Sequence, residues 1–354
     1  MPGVPTPWLI VIFLAGTAAT WQAGIRLSKS TDALDKRFDL GDAVGGTVLL
    51  AFAGTLPELA ITVAAAAQGE LGLAAGNLIG GIAMQTMVLV VCDFAIGSER
   101  PLTYLAGSLT PVLEALFVAL VTAIAMMGAL LPTTSAIGGV VSPASLVIAV
   151  FWLGGILTLR RLRNNPHLTI TAPGSHPGRR RYSRSAPGGE DSNPYRKLSG
   201  RRLELYFGVA CVVTLVAGVA LELSAETLAS RAGINGVVFG ATFLALATAL
   251  PEISSGLGSV RLGDNALAIG DIFGGNAFQL CLFLLADLIA GMPVLPAAGR
   301  LNSWLAALGI AVTAVYAAGL VIRPERSFGR LGPDSWLALL IFLAGLAGLA
   351  LLPT

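Results

Sequence analysis

Charge is what this sequence lacks. Only 12% of its 354 residues are Asp, Glu, Lys or Arg, against 55% hydrophobic. With a mean hydropathy of +0.79, that excludes an ordinary soluble globular domain. Cysteine is scarce as well. Cys92, Cys211 and Cys281 lie in apolar runs with no close-spaced partner, which excludes a disulfide framework or a cysteine metal cluster and leaves small buried hydrophobes. The two histidines, His167 and His176, fall in a polar stretch and suggest no metal site. No basic segment precedes the first apolar run, so no cleavable signal peptide is expected.

What the chain has in abundance is long apolar runs, each long enough at about 20 residues to cross a bilayer as a helix. Ten are read, at 7–28, 42–68, 71–96, 102–131, 137–160, 204–228, 234–260, 265–290, 302–322 and 335–352. The expected fold is therefore an all-α polytopic membrane protein of ten transmembrane helices, with the lipid bilayer as its first partner. With the N-terminus outside, 20 of the 22 Lys and Arg fall in inner loops, leaving only Arg231 and Arg300 outside. This positive-inside bias sets the expected orientation in the cytoplasmic (plasma) membrane. It also empties the net charge of +2 of meaning, because topology sorts the basic residues; no nucleic-acid partner is expected.

The chain repeats itself. At a shift of 194, residues 44–93 align without a gap on 238–287, with 17 identities in 50 positions. Gly46/Gly240, Pro57/Pro251, Glu58/Glu252, Gly80/Gly274 and Gln85/Gln279 are among them. Composition alone does not place Pro-Glu and Gly-Gly at fixed spacing. The expected organisation is a five-helix repeat over 1–162, a basic cytoplasmic linker over 163–202 and a second five-helix repeat over 203–354. An odd number of spans per half inverts the second copy in the membrane. The linker is rich in Arg, Ser, Pro and Gly and cannot bury a core, so disorder is expected there.

Chemistry concentrates at Leu56-Pro57-Glu58 and Leu250-Pro251-Glu252. Proline within a helix removes an N–H and crowds the carbonyl four residues back, here Ala53 and Ala247. Carbonyls freed in mid-membrane must face protein, water or a cation. A carboxylate beside them completes a set of hard oxygen ligands of the kind calcium prefers. No span core holds Lys, Arg or His to pair with Glu58 or Glu252, so a structural ion pair does not explain them.

Asn77 and Asp271 follow Gly76 and Gly270, whose Gly-x-x-x-Gly spacing permits close helix approach and brings both residues towards the breaks. Asp93 and Asp287 also match across the repeat but lie ~24 Å further along their helices, where solvation at a helix end is expected. The same is expected of Glu222 and Glu226. Glu114, opposite Leu308 in the repeat, reads as an acid bonded to a neighbouring helix or as a second proton site.

These paired signatures resemble the alpha repeats of the calcium:cation antiporter superfamily, which includes the sodium/calcium exchangers. The resemblance covers the whole ten-span plan. It implies that Glu58 and Glu252 are the central calcium ligands, helped by carbonyls near the breaks, with Asn77 and Asp271 as neighbouring cation or proton positions. The family's Gly-Thr-Ser-Leu-Pro-Glu reads Ala53-Gly54-Thr55-Leu56-Pro57-Glu58 and Ala247-Thr248-Ala249-Leu250-Pro251-Glu252 here, so each copy keeps one hydroxyl, Thr55 or Thr248. Where sodium-coupled relatives tend to carry Ser four residues before Asn77 and Asp271, this chain has Leu73 and Leu267.

The expectation is a secondary transporter and no enzyme. It would exchange calcium, or a related divalent cation, against sodium, with no cofactor beyond the transported ions. Proton coupling is the alternative. A cation channel and an intramembrane aspartyl-type hydrolase are the more distant rivals.

Overall fold

The structure is a computed structural model that describes residues 1, 3–38, 52, 54–97, 100–107, 110–164, 194–261, 263–297, 299–349 and 351–352. Among these residues there is no strand, only two isolated β-bridges, Ile137 with Val141 and Phe328 with Leu331. Among the described residues twelve helices, 3-10 turns aside, follow in order. The first six are α1 (Thr6–Phe38), α2 (Leu56–Gln68), α3 (Leu71–Ile96), α4 (Leu102–Ala106), α5 (Thr110–Ala129) and α6 (Pro143–Asn164). The second six are α7 (Gly200–Ala232), α8 (Gly236–Arg261), α9 (Asn265–Ala290), α10 (Val294–Ala297), α11 (Arg300–Ile322) and α12 (Pro333–Leu349).

Seven of these helices, α1, α3, α5, α7, α8, α9 and α11, contain a stretch long and apolar enough to cross a membrane. The shorter apolar α2, α6 and α12 stand where the other three expected spans lie. The ten expected spans are therefore seven long helices and three shorter ones. The start of the second expected span lies outside the described residues, as does 165–193 of the expected linker. The ends of that linker are ordered. α6 runs to Asn164, a 3-10 turn spans Pro194–Lys197, and Arg37 donates to the Leu198 carbonyl at 2.9 Å.

The repeat is written into the helix bounds. α1 and α7 begin and end at the shift of 194, and so do α3 and α9. The intervening turn is built twice in the same way. Gly69 and Gly263 adopt left-handed backbone, and the two N–H groups that follow α2 and α8 close onto Ala66 and Ala65 or onto Val260 and Ser259. That is a Schellman closure, which only a residue tolerant of positive φ makes cheaply.

Packing interleaves the two halves. α2 packs on α7 and its counterpart α8 on α1; α3 packs on α11 and α9 on α5; α3 packs on α8 and α9 on α2. α1 meets α7, and α5 meets α11, as self-paired counterparts. Each contact between unlike elements thus has its mirror, as a pseudo-two-fold axis requires. Helix α3 is buried along most of its length, whereas α1 and α7 turn Trp8, Leu14, Val209 and Val216 outward. Outward apolar residues of this kind suit a lipid-facing surface.

Asp93 and Asp287 hold the two halves together, which overturns the expectation of solvated helix ends. They are 2% and 0% exposed. Asp93 Oδ1 accepts from Leu102 N at 2.7 Å, and its Oδ2 accepts from Gly332 N at 2.7 Å and the Ser335 hydroxyl at 2.6 Å. Asp287 accepts from Val294 N at 2.7 Å and Ser142 N at 2.9 Å. Each aspartate ties down the short helix after its own span and the start of the last helix of the other half. The reason is steric and electrostatic: at these span ends the chain folds back over the acid, and its otherwise orphaned N–H groups need an acceptor.

Glu222 departs from expectation for a similar reason. It is fully buried because α7 lies against α2 there, and its Oε2 accepts from the Gln68 amide at 2.7 Å. Glu226, one turn on, is half-buried. Of the cysteines, Cys92 is buried as expected, whereas Cys211 and Cys281 are only half-buried; all three are free thiols.

Candidate functional site

The two proline-glutamate signatures are built differently. In the first, a turn at Thr55 precedes α2, and Pro57 falls in the first turn of that helix, where a missing N–H costs nothing. The chain is broken there, as expected. In the second, Pro251 sits inside a continuous helix, so the expected break does not occur. α8 instead carries a π-turn at Gly240–Leu244, packed against α3. The Pro251 ring lodges against Gly24 of α1, where any side chain would collide with it, so the glycine lets α1 approach the proline. Ala247 is buried, and its carbonyl has lost the N–H that Pro251 cannot supply. Ala53, the equivalent position, lies outside the described residues.

Glu58 is fully buried. Its Oε1 accepts from the Gln85 amide of α3 at 3.0 Å, Thr248 of α8 lies beside it, and Oε2 has no hydrogen-bond partner. Glu252 is half-buried on α8, within electrostatic reach of both Glu58 and Asp271, and its Oε2 is likewise unbonded. The Ser255 hydroxyl, 3.1 Å from the Glu252 carbonyl and 3.0 Å from Asp271 Oδ2, links α8 to α9. Two carboxylates from opposite halves therefore adjoin, with a third alongside.

Of the other expected residues, Thr55 and Thr248 are buried, and each hydroxyl donates to a carbonyl one turn back, Phe52 at 3.4 Å and Ala245 at 3.2 Å. Asn77 is fully buried, with neither side-chain atom hydrogen-bonded. Its backbone lies against Gly240 of the π-turn, and its carbonyl is 3.4 Å from the Gln279 amide. Leu73 packs with Ile61, Leu221 and Phe239, and Leu267 is 41% exposed.

Gln85 was not singled out as a site residue. Its identity with Gln279 across the repeat was the available signal, since a buried amide kept in both copies needs partners. The two copies use it differently. Gln85 bonds the glutamate of its own half, whereas Gln279 reaches across to the Leu78 carbonyl of α3 at 2.7 Å.

Gly80 and Gly81 are pressed by Ala241 and by the Gln279 amide. Glu58 and Asn77 are buried, and their counterparts Glu252 and Asp271 are half-buried. The close contact at Gly80 gives an expected result. Gly80→Ala, which drives a methyl into Ala241, destabilises the protein by roughly 1–3 kcal/mol as overpacking does. A wild-type melting temperature for this variant in detergent would contradict that packing.

No Lys, Arg or His lies in α2, α3, α5 or α9, and α8 carries only its terminal Arg261. Among the described residues no three acidic, histidine or cysteine side chains converge as a metal cluster. A cation between Glu58 and Glu252 would therefore complete its shell with carbonyl and hydroxyl oxygens.

The sequence profile of the sodium/calcium exchanger protein family matches residues 8–160 and 203–351, the two halves without the segment that joins them. The chain is 26% identical over 288 residues to CaxA of Alkalimonas amylolytica, covering 78% of this chain and 79% of that protein. In fold it is similar to the H+/Ca2+ exchanger CAX, with a TM-score of 0.68 at 16% identity, over 98% of this chain and 82% of that one. It is also similar to the sodium-calcium exchanger NCX_Mj, with a TM-score of 0.57 at 15% identity, over 96% of this chain and 97% of that one.

Proposed function

The chain belongs to the sodium/calcium exchanger protein family, and from that premise we propose that it is a secondary antiporter exchanging calcium, or a related divalent cation, for sodium by alternating access. The observation that carries this reading is the meeting of Glu58 and Glu252, one from each half, in a region without basic side chains. Two carboxylates balance a divalent charge, and in a low-dielectric setting that balance is worth far more than in water. The Ala247 carbonyl, the Thr55 and Thr248 hydroxyls and the Gln85 amide oxygen are the neutral ligands nearest to hand. Neutral oxygens of this kind also suit sodium when the divalent ion has left.

The positive-inside distribution of Lys and Arg supports an N-terminus outside and a joining segment in the cytoplasm. On that reading the two five-helix repeats are inverted, and the α2–α3 and α8–α9 turns face opposite sides of the membrane. Opening the site alternately towards one turn and the other would be the alternating step, with the pseudo-symmetric halves exchanging roles.

Proton coupling is the second reading, favoured by Asp271, a third carboxylate beside Glu252 that a single divalent ion leaves unbalanced. Calcium efflux from proteoliposomes at fixed pH separates the two. With sodium replaced by choline, efflux is expected to fall to the leak rate. Efflux that persists in choline and follows an imposed pH gradient would assign the coupling to protons.

A further inference from the structure

The two ties between the halves are built alike except at one residue. Pro143 and Pro333 open α6 and α12, and the N–H of the residue before each, Ser142 or Gly332, is bonded by the aspartate of the other half. The residue after the proline then packs on a glycine of the preceding long helix, Ala144 on Gly128 of α5 and Asp334 on Gly319 of α11. A methyl fills that place in one tie and a carboxyl in the other, so the packing itself does not require an acid. Asp334 is 7% exposed, and neither of its oxygens has a hydrogen-bond partner. They stand where side chains on Gly319 and Gly332 would be, and the Thr103 hydroxyl lies beside them out of bonding geometry.

A second carboxylate adjoins this one. Asp93 accepts from Leu102 N, Gly332 N and the Ser335 hydroxyl, which also meets the Tyr316 phenol at 3.1 Å. Among the described residues, Asp93 and Tyr316 are the titratable groups within electrostatic reach of Asp334. The basic side chains of the adjoining segments are engaged elsewhere. Arg323 donates to the Tyr104 carbonyl at 2.7 Å, Arg100 lies over the Tyr104 ring and Arg330 over the Phe94 ring, while Glu325 is exposed. A charge buried without donors costs far more than the neutral acid. Burial, and after it the neighbouring Asp93, holds the Asp334 carboxyl above the usual carboxylate range, just before the last expected span.

We propose that Asp334 is a proton-binding residue that makes this tie sensitive to pH. Protonated, it packs on Gly319 as Ala144 packs on Gly128; ionised, it repels Asp93 and loosens the hold of α12 on α3. A carboxyl that keeps its proton more tightly in the fold than in the unfolded chain contributes stability at low pH, and that contribution is lost as pH rises through the folded value. On the orientation proposed above the tie lies at the cytoplasmic side, so the pH it reads is that of the cytoplasm. The competing account is an ionised acid in the first turn of α12, favoured there by the helix dipole.

The test compares thermal melts in detergent from about pH 5 to about pH 9. Asp334→Ala, whose side chain the twin tie already accommodates, and Asp334→Asn, which imitates the protonated acid, are both expected to fold. Relative to wild type, the melting temperature of each is expected to rise by about 2–5 °C across that range, because only wild type has this proton to lose. A difference from wild type that stays constant with pH overturns the proposal. So does a deficit in both variants that deepens as pH rises, the pattern of an ionised helix-end acid. Infrared spectra at about pH 5, where an ordinary aspartate is ionised, give a second reading that depends on neither stability nor transport. The carbonyl band of a protonated carboxyl is expected in wild type and is expected to be weaker in Asp334→Asn; an unchanged band overturns the proposal as well.

Discussion

Glu58→Gln and Glu252→Gln are each expected to abolish calcium transport in proteoliposomes while the protein remains inserted and monodisperse. At 4 Å and an effective dielectric constant of 20, a unit charge attracts a unit charge by about 4 kcal/mol and a divalent ion by about twice that. Neutralising one of the two carboxylates forfeits much of this. Even after the reduced desolvation of the neutral site is allowed for, a loss of more than ~3 kcal/mol, over a hundredfold in affinity, is expected. The amide keeps the shape of the side chain, and Gln85 can still bond the carbonyl oxygen of Gln at position 58, so the fold is spared. Uptake above a few per cent of wild type by either variant would remove both glutamates from the centre of the mechanism.

The second large effect concerns stability rather than transport. Asp93→Ala strands the buried N–H groups of Leu102 and Gly332, while the Ser335 hydroxyl keeps Tyr316 as a partner; Asp287→Ala strands the N–H groups of Ser142 and Val294. Each buried donor left unsatisfied costs ~1–3 kcal/mol, so each variant is expected to lose roughly 2–6 kcal/mol. A loss of that size is a large share of the stability of most folded chains. Asn at either position keeps one acceptor oxygen and loses less. Thermal melts in detergent decide the matter. A solvated acid would change stability by under ~0.5 kcal/mol on replacement, so a near-wild-type melting temperature for Asp93→Ala would refute the bracing role.

Both expectations draw on residues visible in the sequence, but only one role was readable there. Glu58 and Glu252 were legible because each signals by itself: an unpaired acid in an apolar run beside a proline, repeated at a fixed shift. Asp93 and Asp287 repeat just as faithfully. Their donors, however, lie up to 242 positions away in the chain, and near the end of an apolar run a buried acid and a solvated one look alike. Gln85 shows the same limit on a smaller scale. The repeat displayed it, but the 27 residues that separate it from Glu58 leave open which way the amide points until α3 is packed on α2.

The sequence by itself determined the class of the protein, its helical architecture, the duplication and the two acids that stand beside a proline in each copy. All of these follow from local physics: apolar length against bilayer thickness, the missing N–H of proline, and the cost of an unpaired charge in a low-dielectric medium. Tertiary structure alone decided that Pro57 starts a helix while Pro251 is absorbed within one, with Gly24 of a distant helix packed against its ring. It also decided that the amides of Gln85 and Gln279, equivalent in the repeat, take different partners, one the glutamate of its own half and the other a carbonyl across the interface. Two copies of one pattern have no internal reason to differ; only their packing against each other breaks the symmetry.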